Sequence, residues 1–335
     1  MKGEWADSLF RALASGFSRS GPRGCLSILI YHRVLPVADA LDGWNLTADE
    51  FDIQMRVLRE HFTPLPLVEA VERLAGRSLP SGAACVTFDD GYADNATVAL
   101  PILQRHGIPA TFFVATGYLG GGAMWNDRVA EAVRGTQATE VDLGHWHLGK
   151  LSLSDSEHRK AAIVKILGAL KYLPQDTREA RVRELAELAG ARPAHDLMMR
   201  AEHVRLLRSA GMEIGAHSVS HPILARVPAE VAQREIVESG RQLAELLREP
   251  VRLFAYPNGK PGEDYGPEHV KMVRNAGYAA AASTAWGVAT AGTDRFQLPR
   301  FTPWDRNPLK FSLRLSLNCR NRNPRLVPTG EAGTA

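Results

Sequence analysis

Val86-Thr87-Phe88-Asp89-Asp90-Gly91-Tyr92 closes a short apolar run with two adjacent carboxylates and a glycine. The run, residues 83–88, reads as a buried β-strand, so both acids fall at its C-terminal lip. In β/α architectures that lip is where active sites gather. Side chains alternate between faces along a strand, so two consecutive Asp residues converge on one site only where the strand ends and turns. Gly91 supplies the turn. Such a pair can divide its labour, one carboxylate holding a cation while the other handles protons. Taken alone, Asp-Asp-Gly also describes a polar turn after a strand, and the choice between the two rests on the rest of the chain.

Outward from this stretch, β-like runs recur at residues 26–30, 110–115, 212–216, 252–256, 278–282 and 297–301. Helical patterns fill the intervals. Thr47-Ala48-Asp49-Glu50 is a capping box opening a helix with Phe51, Met55 and Leu58 on its apolar face. Further helices are predicted near 95–106, 201–210, 228–248 and 267–276, the third of these four showing Ile236, Gly240, Leu243 and Leu247 on one face. Strand, helix, strand at this spacing describes βαβ units and a parallel sheet. Residues 136–200 differ: the β-like runs disappear, Ser154-x-x-Glu157 caps a helix carrying Ile163, Leu167 and Leu170, and a second helix runs over about 177–189. This reads as a helical insertion. Its histidines, His145, His147, His158 and His195, have no ligand-like spacing.

The chain has 335 residues, 45% hydrophobic and 23% charged, as ordinary globular proteins do. A net charge of +3, with no basic stripe interleaved with aromatics, argues against a nucleic-acid partner. Cys25, Cys85 and Cys319 are few, odd in number and far apart, so neither a disulfide framework nor a cysteine zinc site is expected. No run approaches the length of a transmembrane helix. The first residues lack the order of a secretion signal, which favours a cytoplasmic location. Residues 1–24 read as an extension and linker in which 5–17 form either a frayed surface helix or a short amphipathic one touching a membrane or partner. The folded body is expected over 25–302. Residues 303–335, with Arg306, Lys310, Arg314, Arg320, Arg322 and Arg325, read as a solvated basic tail, contact with anionic lipid head groups being the sharper alternative.

His217-Ser218-Val219-Ser220-His221 places two imidazoles four residues apart, close enough to chelate one ion in a helix or tight loop. Together with a strand-terminal carboxylate they form a facial set that leaves a coordination position open, as catalytic rather than structural metal sites do. His32, after the strand that ends in Tyr31, is a further site candidate, although a lone histidine there also suits a structural role.

Thr87-Phe88-Asp89-Asp90-Gly91, His217-Ser218-Val219-Ser220-His221 and Phe254-Ala255-Tyr256-Pro257-Asn258-Gly259 occur in that order. They resemble the three leading motifs of the polysaccharide deacetylases, the NodB-homology enzymes of carbohydrate esterase family 4. Tyr31-His32 ahead of them resembles the branch that deacetylates poly-N-acetylglucosamine. The resemblance covers roughly residues 26–301, with 136–200 loosely matched. It implies an α/β fold, a distorted (β/α) barrel of about seven parallel strands bearing the helical insertion. It also implies metal-dependent hydrolysis of the N-acetyl group of an amino sugar in a polysaccharide, an oligosaccharide or a lipid-linked precursor.

By the same resemblance Asp90, His217 and His221 match the metal ligands, Asp89 the general base, His32 the general acid of that branch and Arg300 the arginine that holds the base. The 256–259 turn, Tyr256, Asn258 and Gly259, is expected at the substrate, with a backbone N–H facing the charge that develops on the acetyl oxygen. Tyr92, Trp125, Trp286 and Trp304 are candidates for stacking on sugar rings, or for packing. The expected cofactor is a divalent ion, zinc first, with cobalt or nickel as alternatives. The expected partner is an N-acetylated glycan, with peripheral membrane contact through the termini. Two departures stand out. Asn258 occupies a position that is Tyr in many members, and no late Leu-x-His is evident, so the acid assignment rests on His32. Hydrolysis of small cyclic amides on the same barrel and saccharide binding without catalysis are the rival readings.

Overall fold

A computed structural model of the protein describes residues 20–190 and 197–329. Seven parallel strands follow one another in chain order: β1 (Ser27–Tyr31), β2 (Ala83–Phe88), β3 (Ala110–Val114), β4 (Glu213–Ala216), β5 (Leu253–Ala255), β6 (Ala280–Trp286) and β7 (Leu298–Arg300). Each pairs with the next, as where Ile28 lies opposite Cys85, Thr87 opposite Thr111 and Phe254 opposite Ala281. The ring nearly closes where the Phe301 N–H donates to Ile28 O at 2.7 Å and the Ile30 N–H to Phe301 O at 3.0 Å. This is the α/β barrel of about seven strands that the motifs imply. Every residue of β1, β2 and β3 is buried, as expected for parallel strands covered on both faces.

Helices wrap the outside. Helix α1 (Ala48–His61) starts at the expected box, with Glu50 N donating to Thr47 Oγ1 and Thr47 N to Glu50 Oε2. After α2 (Leu67–Ala75), α3 (Leu100–His106) is entered through a wide π-type turn over Asn95–Ala99 rather than as one helix from 95. Between β3 and β4 lie α4 (Trp125–Gly135), α5 (Ser156–Leu170) and α6 (Gln175–Ala189), followed by α7 (Ala201–Ser209). Helices α8 (Ala229–Leu247) and α9 (Pro267–Asn275) complete the alternation. Helix α8 turns Ile236 and Leu243 inward, and Gly240 is required there because a Cβ would sit 2.5 Å from the Tyr278 hydroxyl oxygen.

Three further expectations differ from the structure. The insertion is not purely helical, because Glu140–Leu143 and Gly149–Ser152 form a short antiparallel hairpin. Its alternating burial, with Val141, Leu143 and Leu151 inward, packs onto α4, α5 and α6 in a separate apolar cluster with Ile163, Ile166 and Val182. The α5 cap is Asp155, not Ser154, since Asp155 Oδ1 accepts the His158 N–H at 2.9 Å. The solvated tail is replaced over Pro308–Asn318 by a helix, α10, whose Phe311 and Leu315 are fully buried in the main core. Basic residues at 310 and 314 point outward on the same helix, which is why composition alone suggested a tail. The three cysteines are buried, as expected. The helix expected within 5–17 and His195 lie outside the described residues.

If α10 belongs to the core, Phe311→Ala should lower the unfolding free energy by about 3–5 kcal/mol. Urea denaturation measures it; a loss below about 1 kcal/mol would return this segment to the status of an appendage.

Candidate active site

The site gathers at the C-terminal ends of the strands. Beyond β2 the chain turns at Asp90 (φ 77°) and Gly91 (φ 89°), and a Cβ at 91 would lie 3.1 Å from Val114 Cγ1. The turn brings both acids to one side, and both are buried. Asp89 faces Arg300 from β7 in a two-pronged pair, Nη1 to Oδ1 and Nη2 to Oδ2, each 2.7 Å. The guanidinium also donates to Ser283 O at 2.8 Å and to Thr87 Oγ1 at 3.3 Å. Burial raises the Asp89 pKa, and Arg300 and His217 outweigh it, so its carboxyl stays below the usual value.

Asp90 has no such cation. One of its oxygens lies 3.4 Å from His217 Nε2 and 3.2 Å from His221 Nε2. Burial pushes this carboxyl up, but the two imidazoles and His32 hold it well below the carboxylate range. His217 Nδ1 is 2.8 Å from Ala255 O. A carbonyl only accepts, so the Nδ1 atom carries a proton, and in the neutral imidazole Nε2 keeps its lone pair for an ion shared with Asp90.

The ligand-type atoms of Asp90, His217 and His221 all lie within 4.8 Å of one another. Two ligands about 2.0–2.1 Å from a tetrahedral ion stand about 3.3 Å apart, close to the 3.4 and 3.2 Å separations found here. Two adjacent buried carboxylates with one guanidinium between them leave a negative charge that a divalent cation would neutralise. The donor set therefore fits the expected ion.

The histidine loop is strained and held from outside. Ser218 (φ 61°) and His221 (φ 55°) are left-handed. Glu235 on α8 accepts the N–H groups of Val219 (2.7 Å) and Ser220 (2.8 Å) and the Ser220 hydroxyl (2.7 Å). From the barrel side, Ser218 O and Val219 O accept the N–H groups of Thr116 and Gly117.

A cleft of about 340 Å³ opens over these groups, lined by His32, Asp89, Asp90, Trp125, His217, His221 and Asn258 among the expected residues. His32 is exposed on its rim, with its carbonyl anchored by Asn95 Nδ2 at 2.8 Å. Tyr92 is absent from this lining. It is buried, its hydroxyl 3.1 Å from Asp127 Oδ2, and it lines an adjoining pocket of about 210 Å³ that shares His32, Asp90, Asn126 and Leu167 with the cleft. Burial pushes the Asp127 carboxyl in that pocket up to about 7.

Tyr256 does not face the cleft and is corrected here to a structural residue. It is buried, stacks on Tyr265 at 4.0 Å and donates its hydroxyl to Phe296 O. Its hydroxyl satisfies a barrel carbonyl because the Phe254-Ala255-Tyr256 strand end still points inward there. Gly259 lies behind the cleft against Thr284, where a Cβ would meet the Thr284 nitrogen at 3.0 Å. The N–H groups of Tyr256, Gly259 and Lys260 bond to Ala282 O, Pro257 O and Asp264 Oδ2. Of that turn's amides, Asn258 N is the one with no acceptor among the described residues, and Asn258 is also left-handed (φ 60°). Trp286 and Trp304 are exposed but are not among the cleft's lining residues.

Sequence reading missed Glu235, Asn126, Lys171 and Thr284. Glu235 looks like any polar position of an amphipathic helix, Asn126 reaches the cleft from the first turn of α4, and Lys171 does so only through the fold of the insertion.

The polysaccharide deacetylase profile matches residues 76–172 and 174–281, more than half of the chain. The fold is similar to that of a Streptococcus pyogenes deacetylase, PplD, in complex with acetate, with TM-score 0.59 and 19% identity over 87% of this chain and 98% of that one. It is also similar to IcaB from Ammonifex degensii, with TM-score 0.56 and 20% identity over 90% and 98% of the two chains. YxkH of Bacillus subtilis, a candidate polysaccharide deacetylase, is 21% identical over 277 residues, 82% of this chain and 70% of that protein. The solved structures attest the barrel and the profile match gives its lineage: the chain belongs to the polysaccharide deacetylase family, hydrolases that act on the N-acetyl groups of polysaccharides.

Proposed function

We propose that the protein removes the acetyl group from an N-acetylated amino sugar in a polysaccharide, an oligosaccharide or a lipid-linked glycan precursor, with a divalent ion, zinc first, held by Asp90, His217 and His221. The observation that carries this reading is the pairing of Asp89 with Arg300 directly beside an unneutralised Asp90 and two imidazoles. An ion held there would supply a Lewis acid for the acetyl carbonyl and would lower the pKa of water from about 15.7 toward about 7.

The chain's own groups supply the rest. Asp89 accepts the proton of the attacking water. Arg300 keeps it ionised and fixed in direction, at some cost in basicity. The Asn258 N–H faces the oxygen on which charge develops. The amine is a poor leaving group until protonated, and His32, on the cleft rim, donates that proton. Trp125 borders the cleft as a platform for a sugar face. The adjoining pocket gives the cleft more length than a small cyclic amide needs, which favours a saccharide.

Asp90→Ala should abolish both metal uptake and acetate release, whereas Asp89→Asn should retain the metal and lose turnover. Metal analysis alongside an acetate assay on N-acetylated oligosaccharides reads both, and continued release by the two variants would sink the assignment. His32→Ala should lower kcat by about 10²–10⁴ while leaving metal content unchanged; an undiminished kcat would remove His32 from the proton path. Arg300→Gln strands a buried carboxylate and should cost about 3–5 kcal/mol in chemical denaturation; a change under about 1 kcal/mol would mean that the pair is not buried as described. Glu235→Ala should weaken metal binding while Glu235→Gln largely restores it, since the amide oxygen can still accept both loop N–H groups. Equal metal affinity in all three proteins would deny Glu235 this positioning role.

A further inference from the structure

Helix α10 is apolar on two opposite sides. Phe311 and Leu315 enter the core, yet Leu309, Leu313 and Leu317, spaced four apart on the outer face, are 53%, 42% and 37% exposed. Trp304 precedes the stripe and is 56% exposed. At its other end α10 meets the loop after β6, where Asn318 Nδ2 donates to Gly287 O at 3.2 Å, next to Trp286, itself 45% exposed. An exposed ridge of two indoles and three leucines is costly in water and marks a docking surface.

Its charge identifies the occupant. From Arg306 to Thr329 the sequence holds six cations, Arg306, Lys310, Arg314, Arg320, Arg322 and Arg325, and no acid. Lys310, Arg314, Arg320 and Arg325 are exposed, and of the six Arg306 and Arg314 also pair with Glu50 at 2.9 Å and with Asp305 at 2.8 Å. Leucines and tryptophans flanked by cations match an anionic bilayer, whose acyl boundary takes the apolar groups and whose phosphates take the cations. The chain's own residues 1–19 and 330–335 match the cations less well, because Lys2, Arg11 and Arg19 balance Glu4, Asp7 and Glu331. Trp286 stands two residues beyond Thr284, which lines the cleft, so the ridge borders the mouth of the site.

We propose that the outer face of α10, with Trp304 and Trp286, seats the protein on an anionic phospholipid surface beside the mouth of the cleft. A glycan carried at a membrane would then meet the site without leaving the surface. The binding itself does not depend on the hydrolase reading.

The test is co-sedimentation of the full chain with phosphatidylcholine vesicles that contain or lack phosphatidylglycerol. The wild type should partition onto the anionic vesicles and release in high salt. Leu309→Ser, Leu313→Ser and Leu317→Ser should each weaken partitioning by about tenfold, and Lys310→Ala and Arg325→Ala by about fivefold each. Acetate release from a soluble oligosaccharide and the unfolding midpoint should not change in these variants. The proposal is overturned if the wild type ignores anionic vesicles, or if a variant combining Leu309→Ser, Leu313→Ser and Leu317→Ser binds them as the wild type does. It is equally overturned if that variant instead loses a dimer or its fold, since the face would then serve self-association or packing.

Discussion

Arg300 and Asp89 meet from positions 211 apart in sequence, inside a barrel where neither could sit alone. Removing two charges from water is costly, and only a well-aligned pair with its remaining hydrogen bonds satisfied repays it. Here Ser283 O and Thr87 Oγ1 take two of the three donors that Asp89 does not. The pair ties β7 to β2 across the closing edge of the barrel and fixes which way Asp89 faces. It also sets the electrostatics next door. With the guanidinium committed to Asp89, Asp90 is left with imidazoles as its nearest partners, and the site demands a further positive charge.

That demand explains where the backbone is strained. Seven described residues other than glycine have positive φ, and four of them, Asp90, Ser218, His221 and Asn258, are at the cleft. Left-handed backbone costs a side-chain-bearing residue about 1–2 kcal/mol. The surroundings over-determine each one: Val114 behind the Asp90–Gly91 turn, Glu235 and the Thr116 and Gly117 amides around the histidine loop, and Thr284 against the 257–259 turn. Pre-organised donors and ligands of this kind are what a hydrolytic site needs, since geometry arranged beforehand costs nothing during the reaction.

The parts legible in the sequence were those with a local signature. Two acids and a glycine at the end of an apolar run, and two histidines four apart after another, announce themselves because strand ends and tight turns have few solutions. The parallel sheet followed from the strand and helix periodicity, and its closure into a barrel from the resemblance of the motifs. What stayed hidden depends on tertiary neighbours. Tyr256 sits in the right motif but turns inward onto Tyr265. Glu235 is one acid among several on α8, and becomes a clamp only when the histidine loop is laid over it. Helix α10 was read as a tail because its cations dominate its composition, although Phe311 and Leu315 already had helical spacing. The hairpin in the insertion alternates over only four residues, too short a run to compete with the helices around it.

The catalytic account stands on the proposal that an ion is held at the junction of three side chains. Anomalous diffraction at the zinc absorption edge, from crystals grown with zinc, examines it most directly. One peak per chain is predicted, about 2.0–2.2 Å from an Asp90 oxygen and from Nε2 of His217 and His221, with Asp89 outside the ligand set and still paired to Arg300. Zinc bound elsewhere on the chain, or a peak that recruits Asp89 away from the guanidinium, would contradict it.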